Sequence, residues 1–203
     1  MSAVISSIPL PLLEDNIDTD VIFPARFLLL LEKSGLGKYA FYERRTAEPD
    51  FALNKSEYEG RSILVAGRNF GIGSSREQAV WALADLGIRC IIARSFGEIF
   101  RQNCLRNGLL PIEPTDAEMA EIEARARQNR RLTVDIAAGE LIIAENRRIG
   151  FSLTDYHKKI LIQGLDEVSM IVREDYAEIL AFEERLGRAM PWISISRAQF
   201  ESL

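Results

Sequence analysis

The chain has 203 residues, of which 47% are hydrophobic, so it is long enough to bury one sizeable core. A formal net charge of −5 at pH 7 argues against nucleic acid as the main partner, because nucleic-acid-binding proteins usually carry excess positive charge. No apolar stretch approaches the roughly 18 residues of a membrane span and the N-terminus lacks a secretory signal, so we predict a soluble, cytoplasmic protein that does not bind membranes.

Loop signals dominate the first sixty or so residues. The segment Asn16-Ile-Asp-Thr-Asp20 is acidic and turn-forming, and Pro24 follows it shortly afterwards. From Lys33 to Asn54, glycine, proline and charged residues predict a long loop with one or two helical turns. A loop of this length in a compact chain is more often functional than incidental.

Strands alternate with helices between residues 61 and 112. Apolar runs predict strands at 61–67, 87–93 and 109–112, and apolar residues at helical spacing predict helices near 79–86 and at 96–107. This alternation predicts a mainly parallel sheet covered by helices. Right-handed crossovers place the carboxyl ends of neighbouring strands at one edge, so we expect Gly71 to Ser75 and Ser95-Phe96 to lie together there.

The last third of the sequence combines helices with antiparallel strands. Thr115-x-x-Glu118 is a capping box that predicts a helix to about Asn129. Alternating apolar residues then predict antiparallel strands at 132–136, 141–143 and 149–153. A short helix is predicted from Thr154 to about Gly164, and a last helix from about Glu174 to Leu186, with acidic residues at its start.

These elements predict an α/β fold, in which a mainly parallel core sheet is flanked by helices and joined by an antiparallel β unit. We assign residues 1–203 to a single domain. Within it, residues 1–130 form the α/β core, residues 131–172 an antiparallel β extension, and residues 173–203 a C-terminal helix and tail.

The segment Gly71-Ile-Gly-Ser-Ser-Arg-Glu77 joins a predicted strand to a predicted helix. Unpaired backbone N–H groups and the helix dipole make such a junction a natural anion site. Arg76 adds a planar fork of donors that suits a carboxylate or a phosphate. Ser74 and Glu77 also match the S-x-x-E capping box, so a purely structural role as a helix cap is the alternative interpretation.

Cysteine and histidine are scarce in this chain. Cys90 and Cys104 are its only cysteines, and both fall in apolar elements, where we expect them to be packing groups. An iron–sulfur cluster needs about three or four thiolates, so this chain cannot hold one by itself in the usual way. His157 is the only histidine, which excludes a site built from several histidines of one chain. We therefore expect no metal or cofactor on this chain.

An ordered set of segments resembles one family. These segments are 16–24, 69–77, Ser95-Phe96 with Ile99 and Asn103, 108–111 and 164–166. Together they resemble the small subunit of 3-isopropylmalate dehydratase, which is the detached swivelling domain of the aconitase superfamily. The resemblance spans nearly the whole chain and implies a swivelling β/β/α domain.

The resemblance also implies a function. It implies a hydro-lyase subunit that isomerises 2-isopropylmalate and 3-isopropylmalate by dehydration and rehydration in leucine biosynthesis. The implied partner is a large subunit that carries a [4Fe–4S] cluster, whose open iron binds the hydroxyl and carboxylate of a small carboxylic acid substrate as a Lewis acid. The small subunit caps that site and supplies the base.

Individual roles follow from motif matching within this resemblance. Ser74 would be the base that removes the proton alpha to a carboxylate, and Asp20 would pair with a catalytic histidine of the partner. The substrate-binding residues would be Gly73, Ser75, Arg76 and Lys33.

Two positions depart from the family pattern. Gln78 stands where a histidine usually follows Ser-Ser-Arg-Glu, and Lys33 stands where a substrate-facing arginine usually precedes Gly-x-Gly. Lysine binds a carboxylate as a point charge and lacks the bidentate geometry of arginine. These departures leave two alternatives open: a related hydro-lyase that acts on another malate derivative, and a non-catalytic anion-binding module of the same fold.

Apolar residues in the loop bear on the choice of substrate. Leu30, Leu31 and Leu36 suit a branched alkyl group better than a third carboxylate, although packing in the core explains Leu30 and Leu31 equally well.

A serine hydroxyl is too weak an acid to ionise near neutrality without help. A helix N-terminus contributes at most about 2 kcal/mol, which changes a pKa by only about 1.5. The rest must come from Arg76, from oriented amides of the glycine loop and from the exclusion of water by the partner. We therefore expect the isolated chain to be catalytically inert.

Overall fold

Eight strands and seven α-helices make up most of the structure, a computed structural model that describes residues 3–30 and 32–194. The strands are β1 Val4–Ser7, β2 Leu10–Leu12, β3 Ile63–Ala66, β4 Cys90–Ala93, β5 Leu110–Ile112, β6 Leu132–Asp135, β7 Glu140–Ala144 and β8 Arg147–Gly150. The helices are α1 Thr19–Ile22, α2 Tyr42–Ala47, α3 Glu77–Asp85, α4 Glu98–Arg106, α5 Asp116–Arg127, α6 Asp155–Gln163 and α7 Glu167–Ala189. Short 3-10 helices lie at Ala25–Phe27, Gly37–Tyr39, Ala52–Asn54, Ser56–Tyr58 and Pro191–Ser194.

The parallel sheet has the strand order β2-β3-β4-β5, and every neighbouring pair in it is parallel. All four residues of β3 and all four of β4 are buried. Strands that are buried along their whole length are typical of a parallel sheet covered on both faces. The predicted alternation of strands and helices over residues 61–112 is confirmed.

The antiparallel sheet has the order β1-β6-β7-β8. The strands predicted in the last third of the sequence are confirmed as β6, β7 and β8, although the third of them ends at Gly150 and does not reach residue 153. The N-terminal strand β1 was not predicted, and it pairs with β6 from Val4 opposite Asp135 to Ser7 opposite Leu132. The N-terminal strand therefore joins a sheet whose other strands lie between residues 132 and 150.

Two hydrophobic cores lie on opposite faces of the parallel sheet. Leu64 and Ile91 face the core formed with α3, α4 and the segments after β2. Their neighbours Ile63 and Ile92 face the second core, which also contains buried residues of α5 and of the antiparallel sheet. The parallel sheet is thus the middle layer, as the side-chain period of two in a strand requires.

The long segment from Lys33 to Asn54 contains α2 and short 3-10 helices, which confirms the one or two predicted helical turns. Two backbone contacts hold it against the rest of the molecule. The Gly37 N–H donates to the carboxylate of Asp85 near the end of α3 at 2.7 Å, and the Phe41 N–H donates to the Ile22 carbonyl at 2.8 Å.

The chain divides into two compact units, Met1–Leu165 and Asp166–Leu203. Both sheets and helices α1 to α6 belong to the first unit, and α7 belongs to the second. The single domain and its divisions after residues 130 and 172 stay predictions, and residues 195–203 of the predicted tail lie outside the described part of the chain.

The predicted start of the last helix near Glu174 is wrong, because α7 begins at Glu167. Asp166 is its N-cap, and the Asp166 side chain accepts a hydrogen bond from the Ser169 N–H at 2.8 Å. Glu174 and Asp175 therefore lie inside the helix, where they do not compensate for the dipole at its first turn. Within residues 3–30 and 32–194, no helix is long and apolar enough to span a membrane.

Candidate active site

Three chain segments meet at the carboxyl edge of the parallel sheet. Phe70 forms a parallel bridge with Phe96, and Ile72 forms one with Asp18. The Gly71 N–H donates to the Ile17 carbonyl at 2.7 Å. The loop after β3 is therefore held from both sides by backbone hydrogen bonds. This confirms the prediction that the segment 71–75 lies at the same sheet edge as Ser95-Phe96.

Gly71 permits this close arrangement. Its φ of +73° lies in the left-handed region, and a Cβ atom there would lie 2.2 Å from Cγ of the buried Phe100 ring. Gly73 has a φ of +100°, and a Cβ atom there would lie in ordinary contact with Oγ1 of Thr19, at 3.5 Å. Together these glycines bring the chain tightly past α4 and then direct it outwards.

Ser74 follows the second of these glycines and is exposed. Its backbone N–H donates to Oγ1 of Thr19 at 3.1 Å, and the Thr19 hydroxyl donates to the Ser74 carbonyl at 3.3 Å. Thr19 is buried, with an exposed fraction of 1%. Sequence reasoning did not single out Thr19, although it is the fourth residue of the Asn-Ile-Asp-Thr-Asp motif.

The interpretation of Ser74 and Glu77 as a capping box is wrong. Helix α3 begins at Glu77 with Arg76 as its N-cap residue, and no side chain caps it. A capping box needs the serine at the N-cap position itself, whereas Ser74 lies two residues before it. The hydroxyl of Ser74 therefore does not cap α3.

Arg76 forms an ion pair with Asp20. The Arg76 side chain is 20% exposed and that of Asp20 is 55% exposed, so the pair lies at the surface of the site. Asp20 is placed by the first turn of α1, whose N-cap Asp18 accepts a hydrogen bond from the Val21 N–H at 2.7 Å. The structure thus brings two predicted site residues together, and Asp20 compensates the charge of Arg76 within this chain.

Ser75 is exposed beside Ser74, and its backbone is held from the opposite side. Its carbonyl oxygen accepts a long hydrogen bond of 3.5 Å from Nδ2 of Asn103. Asn103 is buried in α4. A buried polar side chain therefore contacts the backbone of each of the two serines.

Lys33 lies beside α3 and α4. Its Nζ lies 5.1 Å from the centroid of the Trp81 ring and 3.4 Å from Oδ1 of Asn107. Asn107 in turn donates to the Asn103 carbonyl at 2.9 Å. Lys33 is therefore connected to the Ser75 backbone through Asn107 and Asn103, and its role in binding substrate stays a prediction.

The predicted apolar loop divides between the core and the surface. Leu36 is buried in the core, whereas Leu30, for which core packing is the alternative interpretation, is 37% exposed. Leu29 and Leu30 line a cavity of about 410 Å³ together with Leu36 and Tyr39. Leu31 lies outside the described residues.

The two cysteines do not fit a cluster site. Cys90 and Cys104 are fully buried, and desolvation by burial raises the pKa of both thiols. Thiolates are the ligands that iron–sulfur clusters require, and burial disfavours that form. In the part of the chain that the structure describes, no group of three or more histidine, cysteine, aspartate or glutamate side chains could hold a metal ion.

Comparison with known proteins defines the class of the chain. The family model of the aconitase C-terminal domain matches residues 6–117. This match covers more than half of the chain and contains the whole parallel sheet, together with the loop from Gly71 to Glu77. The fold is thus that of an aconitase C-terminal domain.

Individual relatives narrow this class. The chain is 46% identical to the 3-isopropylmalate dehydratase small subunit of Ruegeria sp. over 194 residues, which cover 91% of this chain and 94% of that protein. It is 42% identical to the small subunit of Afipia carboxidovorans, over 94% of this chain and 98% of that protein. The solved structure of 3-isopropylmalate dehydratase from Methanocaldococcus jannaschii has a TM-score of 0.63 and 27% identity, and the match covers 86% of this chain and 98% of that chain. The chain belongs to the family of 3-isopropylmalate dehydratase small subunits.

Proposed function

We propose that this chain is the small subunit of a 3-isopropylmalate dehydratase, a hydro-lyase that isomerises 2-isopropylmalate and 3-isopropylmalate in leucine biosynthesis. Its similarity to small subunits over most of its length supports this proposal. The observation that carries the mechanism is that Ser74 is exposed on a fixed loop close to Arg76 and that its side chain does not cap α3. As a small subunit, the chain acts with a large subunit.

Ser74 is the proposed base. Its oxygen takes the proton from the carbon alpha to a substrate carboxylate, and the electrons of the broken C–H bond form a C=C double bond. The hydroxyl group of the neighbouring carbon leaves and, with a proton, becomes water. Rehydration with the hydroxyl on the other carbon gives the isomer.

Arg76 and Ser75 are proposed to bind the substrate carboxylates. The guanidinium group of arginine matches a carboxylate with two parallel hydrogen bonds. Helix α3 supports this role, since its first N–H groups have no side-chain cap and can face an anion. Gly73 is exposed and has no side chain that could cover the approach to these groups.

Asp20 links this site to the partner. In the free chain its carboxylate pairs with Arg76 and so offsets the positive charge that Ser74 needs nearby. We infer that a histidine of the large subunit becomes the partner of Asp20 in the complex, which leaves Arg76 for the substrate. This exchange, together with the exclusion of water, would account for an inert isolated chain.

The [4Fe–4S] cluster is proposed to reside on the large subunit. There it would supply Lewis acidity toward the substrate hydroxyl and carboxylate. The buried thiols of this chain are unsuited to hold it.

The test of the proposed base is Ser74→Ala in the complex reconstituted with a large subunit. General-base catalysis contributes about 100-fold to 10,000-fold, so we expect kcat to fall at least about 100-fold while partner binding is unchanged. Ser152→Ala, at an exposed serine outside the site, is the matched control and should keep full turnover. Turnover by the Ser74→Ala complex at the unmodified rate would show that another group is the base.

A substrate panel on the same complex tests the choice of acid. We expect 3-isopropylmalate to be turned over faster than citramalate, dimethylmalate or a homoaconitate-like acid, since Leu29 and Leu30 offer an apolar surface and Lys33 a single point charge. Preference for an acid with a third carboxylate would contradict this assignment. Phosphate binding by the isolated chain that the partner leaves unchanged, without turnover in the mixture, would support a non-catalytic module instead.

A further inference from the structure

The buried hydroxyl of Thr19 forms hydrogen bonds with both the backbone N–H and the backbone C=O of Ser74. Oγ1 of Thr19 accepts the Ser74 N–H at 3.1 Å and donates its own proton to the Ser74 carbonyl oxygen at 3.3 Å. The N–H and the C=O lie on either side of the same Cα atom. Fixing both of them fixes the orientation of the Cα–Cβ bond that carries the Ser74 hydroxyl.

Thr19 is itself held rigidly. Its exposed fraction is 1%, its N–H donates to the Ile72 carbonyl at 2.9 Å, and its carbonyl accepts the Phe23 N–H at 2.9 Å. Because it is β-branched, threonine also has few accessible side-chain rotamers. The hydroxyl therefore acts as a fixed anchor that belongs to α1 and contacts the loop preceding α3.

The loop has little else to orient Ser74 at this point. Gly73 precedes it as an exposed residue with a φ of +100°, and glycine restricts the backbone less than any other residue. Ser74 is exposed, so close packing does not fix its side chain. The two hydrogen bonds to Thr19 therefore orient Ser74, which neither the neighbouring glycine nor side-chain packing does.

We propose that Thr19 is a positioning residue for the reaction and aims the Ser74 hydroxyl at the substrate carbon. This inference rests on the proposed role of Ser74 as the base. A base must lie within hydrogen-bonding reach of the proton that it removes, and a displacement of about 1 Å can cost about 100-fold in rate. Thr19 therefore acts through Ser74 and contacts neither the substrate nor the reacting atoms.

The test is Thr19→Val in the reconstituted complex, because valine keeps the shape of threonine and removes the hydroxyl. We expect kcat to fall about 10-fold to 100-fold, while KM stays within about threefold, since the carboxylate-binding groups are untouched. Thr19→Ser restores the hydroxyl and should restore most of kcat. The inference is overturned if Thr19→Val keeps the kcat of the unmodified complex while Ser74→Ala lowers kcat at least about 100-fold.

A matched control separates positioning from general loss of stability. Ser7 is a second buried hydroxyl with two backbone hydrogen bonds, accepting from the Ser62 N–H at 3.1 Å and donating to the Ile8 carbonyl at 2.9 Å. It lies at the end of β1, outside the site. Ser7→Ala should therefore lower stability while leaving kcat near its original value. An equal loss of kcat in Ser7→Ala and Thr19→Val would mean that the effect of Thr19 is merely structural.

The double variant distinguishes failure of this inference from failure of the proposed function. If Thr19 acts through Ser74, adding Thr19→Val to Ser74→Ala should not lower the residual rate further. A further loss of the same size as in the single variant would show that Thr19 acts independently. Full turnover by Ser74→Ala alone would instead overturn the proposed base. Should Thr19→Val not fold, Thr19→Cys serves in its place, because a thiol is only a weak hydrogen-bonding group of similar size.

Discussion

At the scale of single residues, the absence of a side chain at Gly71 determines how closely the loop can approach α4. The nearest atoms to a hypothetical Cβ belong to the ring of Phe100, which is buried and makes edge-to-face contact with Phe70 at a centroid distance of 5.5 Å. The ring cannot move away without disturbing the core. The position of the loop that carries Ser74 therefore depends on this glycine.

Gly71→Ala should destabilise the protein far more than its positive φ alone explains. A left-handed alanine costs about 1 kcal/mol, and the clash with Phe100 should add about 1–3 kcal/mol, as overpacking does. Urea unfolding measures the change in the free energy of unfolding.

The control for this prediction is Gly60→Ala. Gly60 has a φ of +70°, close to that of Gly71, but nothing lies within 4 Å of its hypothetical Cβ. It should show only the cost of the left-handed backbone. Equal losses at the two positions would mean that contact with Phe100 is unimportant.

At the scale of elements, the helix starts differ in how they are capped. Helices α1, α5, α6 and α7 each have a capping side chain, from Asp18, Thr115, Thr154 and Asp166 respectively. Helix α3, which begins at the site, has none. Its first amides are available to a ligand, whereas those of the capped helices are partly occupied by their own side chains.

The capping box of α5 makes stability depend on pH. The Thr115 hydroxyl donates to the Glu118 carboxylate at 2.7 Å, and the Thr115 N–H does so at 3.0 Å. These two hydrogen bonds lower the pKa of Glu118 below its ordinary value of 4.5. Because the folded-state pKa is the lower one, this contribution is present above about pH 4.5 and is lost as the pH falls through the folded-state pKa.

Thr115→Ala should cost about 0.5–2 kcal/mol of stability at pH 7. The difference in the free energy of unfolding between Thr115→Ala and the unmodified protein should become smaller toward about pH 3. At that pH, protonation of Glu118 removes the contribution of its carboxylate in both proteins. Urea titrations at several pH values measure this difference.

Thr154→Ala is the matched control for the pH effect. Thr154 caps α6 by accepting from the N–H of His157, and its hydroxyl also lies 2.9 Å from Nδ1 of the His157 ring, so no carboxylate takes part in this pair. The stability lost in Thr154→Ala should therefore not become smaller below pH 4.5, as the loss in Thr115→Ala does when Glu118 is protonated. A cost of Thr115→Ala that is the same at pH 7 and pH 3 would rule out the contribution of Glu118.

At the scale of the whole molecule, the two sheets pack against one shared hydrophobic core, and the N-terminal segment joins them. β1 belongs to the antiparallel sheet and β2, which follows within a few residues, belongs to the parallel one. Ile5 of β1 lies in the core between the sheets, with an exposed fraction of 2%. The first strand is therefore a structural part of the first unit.

Ile5→Ala should destabilise the protein by about 2–4 kcal/mol, since it removes buried methyl groups and leaves a cavity. Its neighbour Val4 is 41% exposed on the opposite face of β1, so Val4→Ala should change stability by less than about 0.5 kcal/mol. Thermal unfolding of both variants checks the prediction. A loss at Ile5 as small as that at Val4 would mean that β1 contributes little to the folded state.

Local signals in the sequence were sufficient for several elements and for part of the site. The apolar runs around Val65 and Ile91 and the Thr115 capping box were interpreted correctly, because periodicity and caps depend on residues close in sequence. The strand β1 was missed, since its four residues alternate weakly and its partner β6 lies more than a hundred residues away. The start of α7 was misplaced because Glu174 and Asp175 gave the same acidic signal as the true cap, Asp166.

The sequence by itself determined the class of fold, the loop that carries Ser74 and Arg76, and the family, because those depend on local pattern and on ordered motifs. Only the tertiary structure decided that Ser74 does not cap α3, that Asp20 pairs with Arg76, and that Thr19 holds the backbone of Ser74. These contacts join residues 55 or 56 positions apart. Pairing over such a distance is set by how the sheet edge brings the segments together, and no local pattern contains that information.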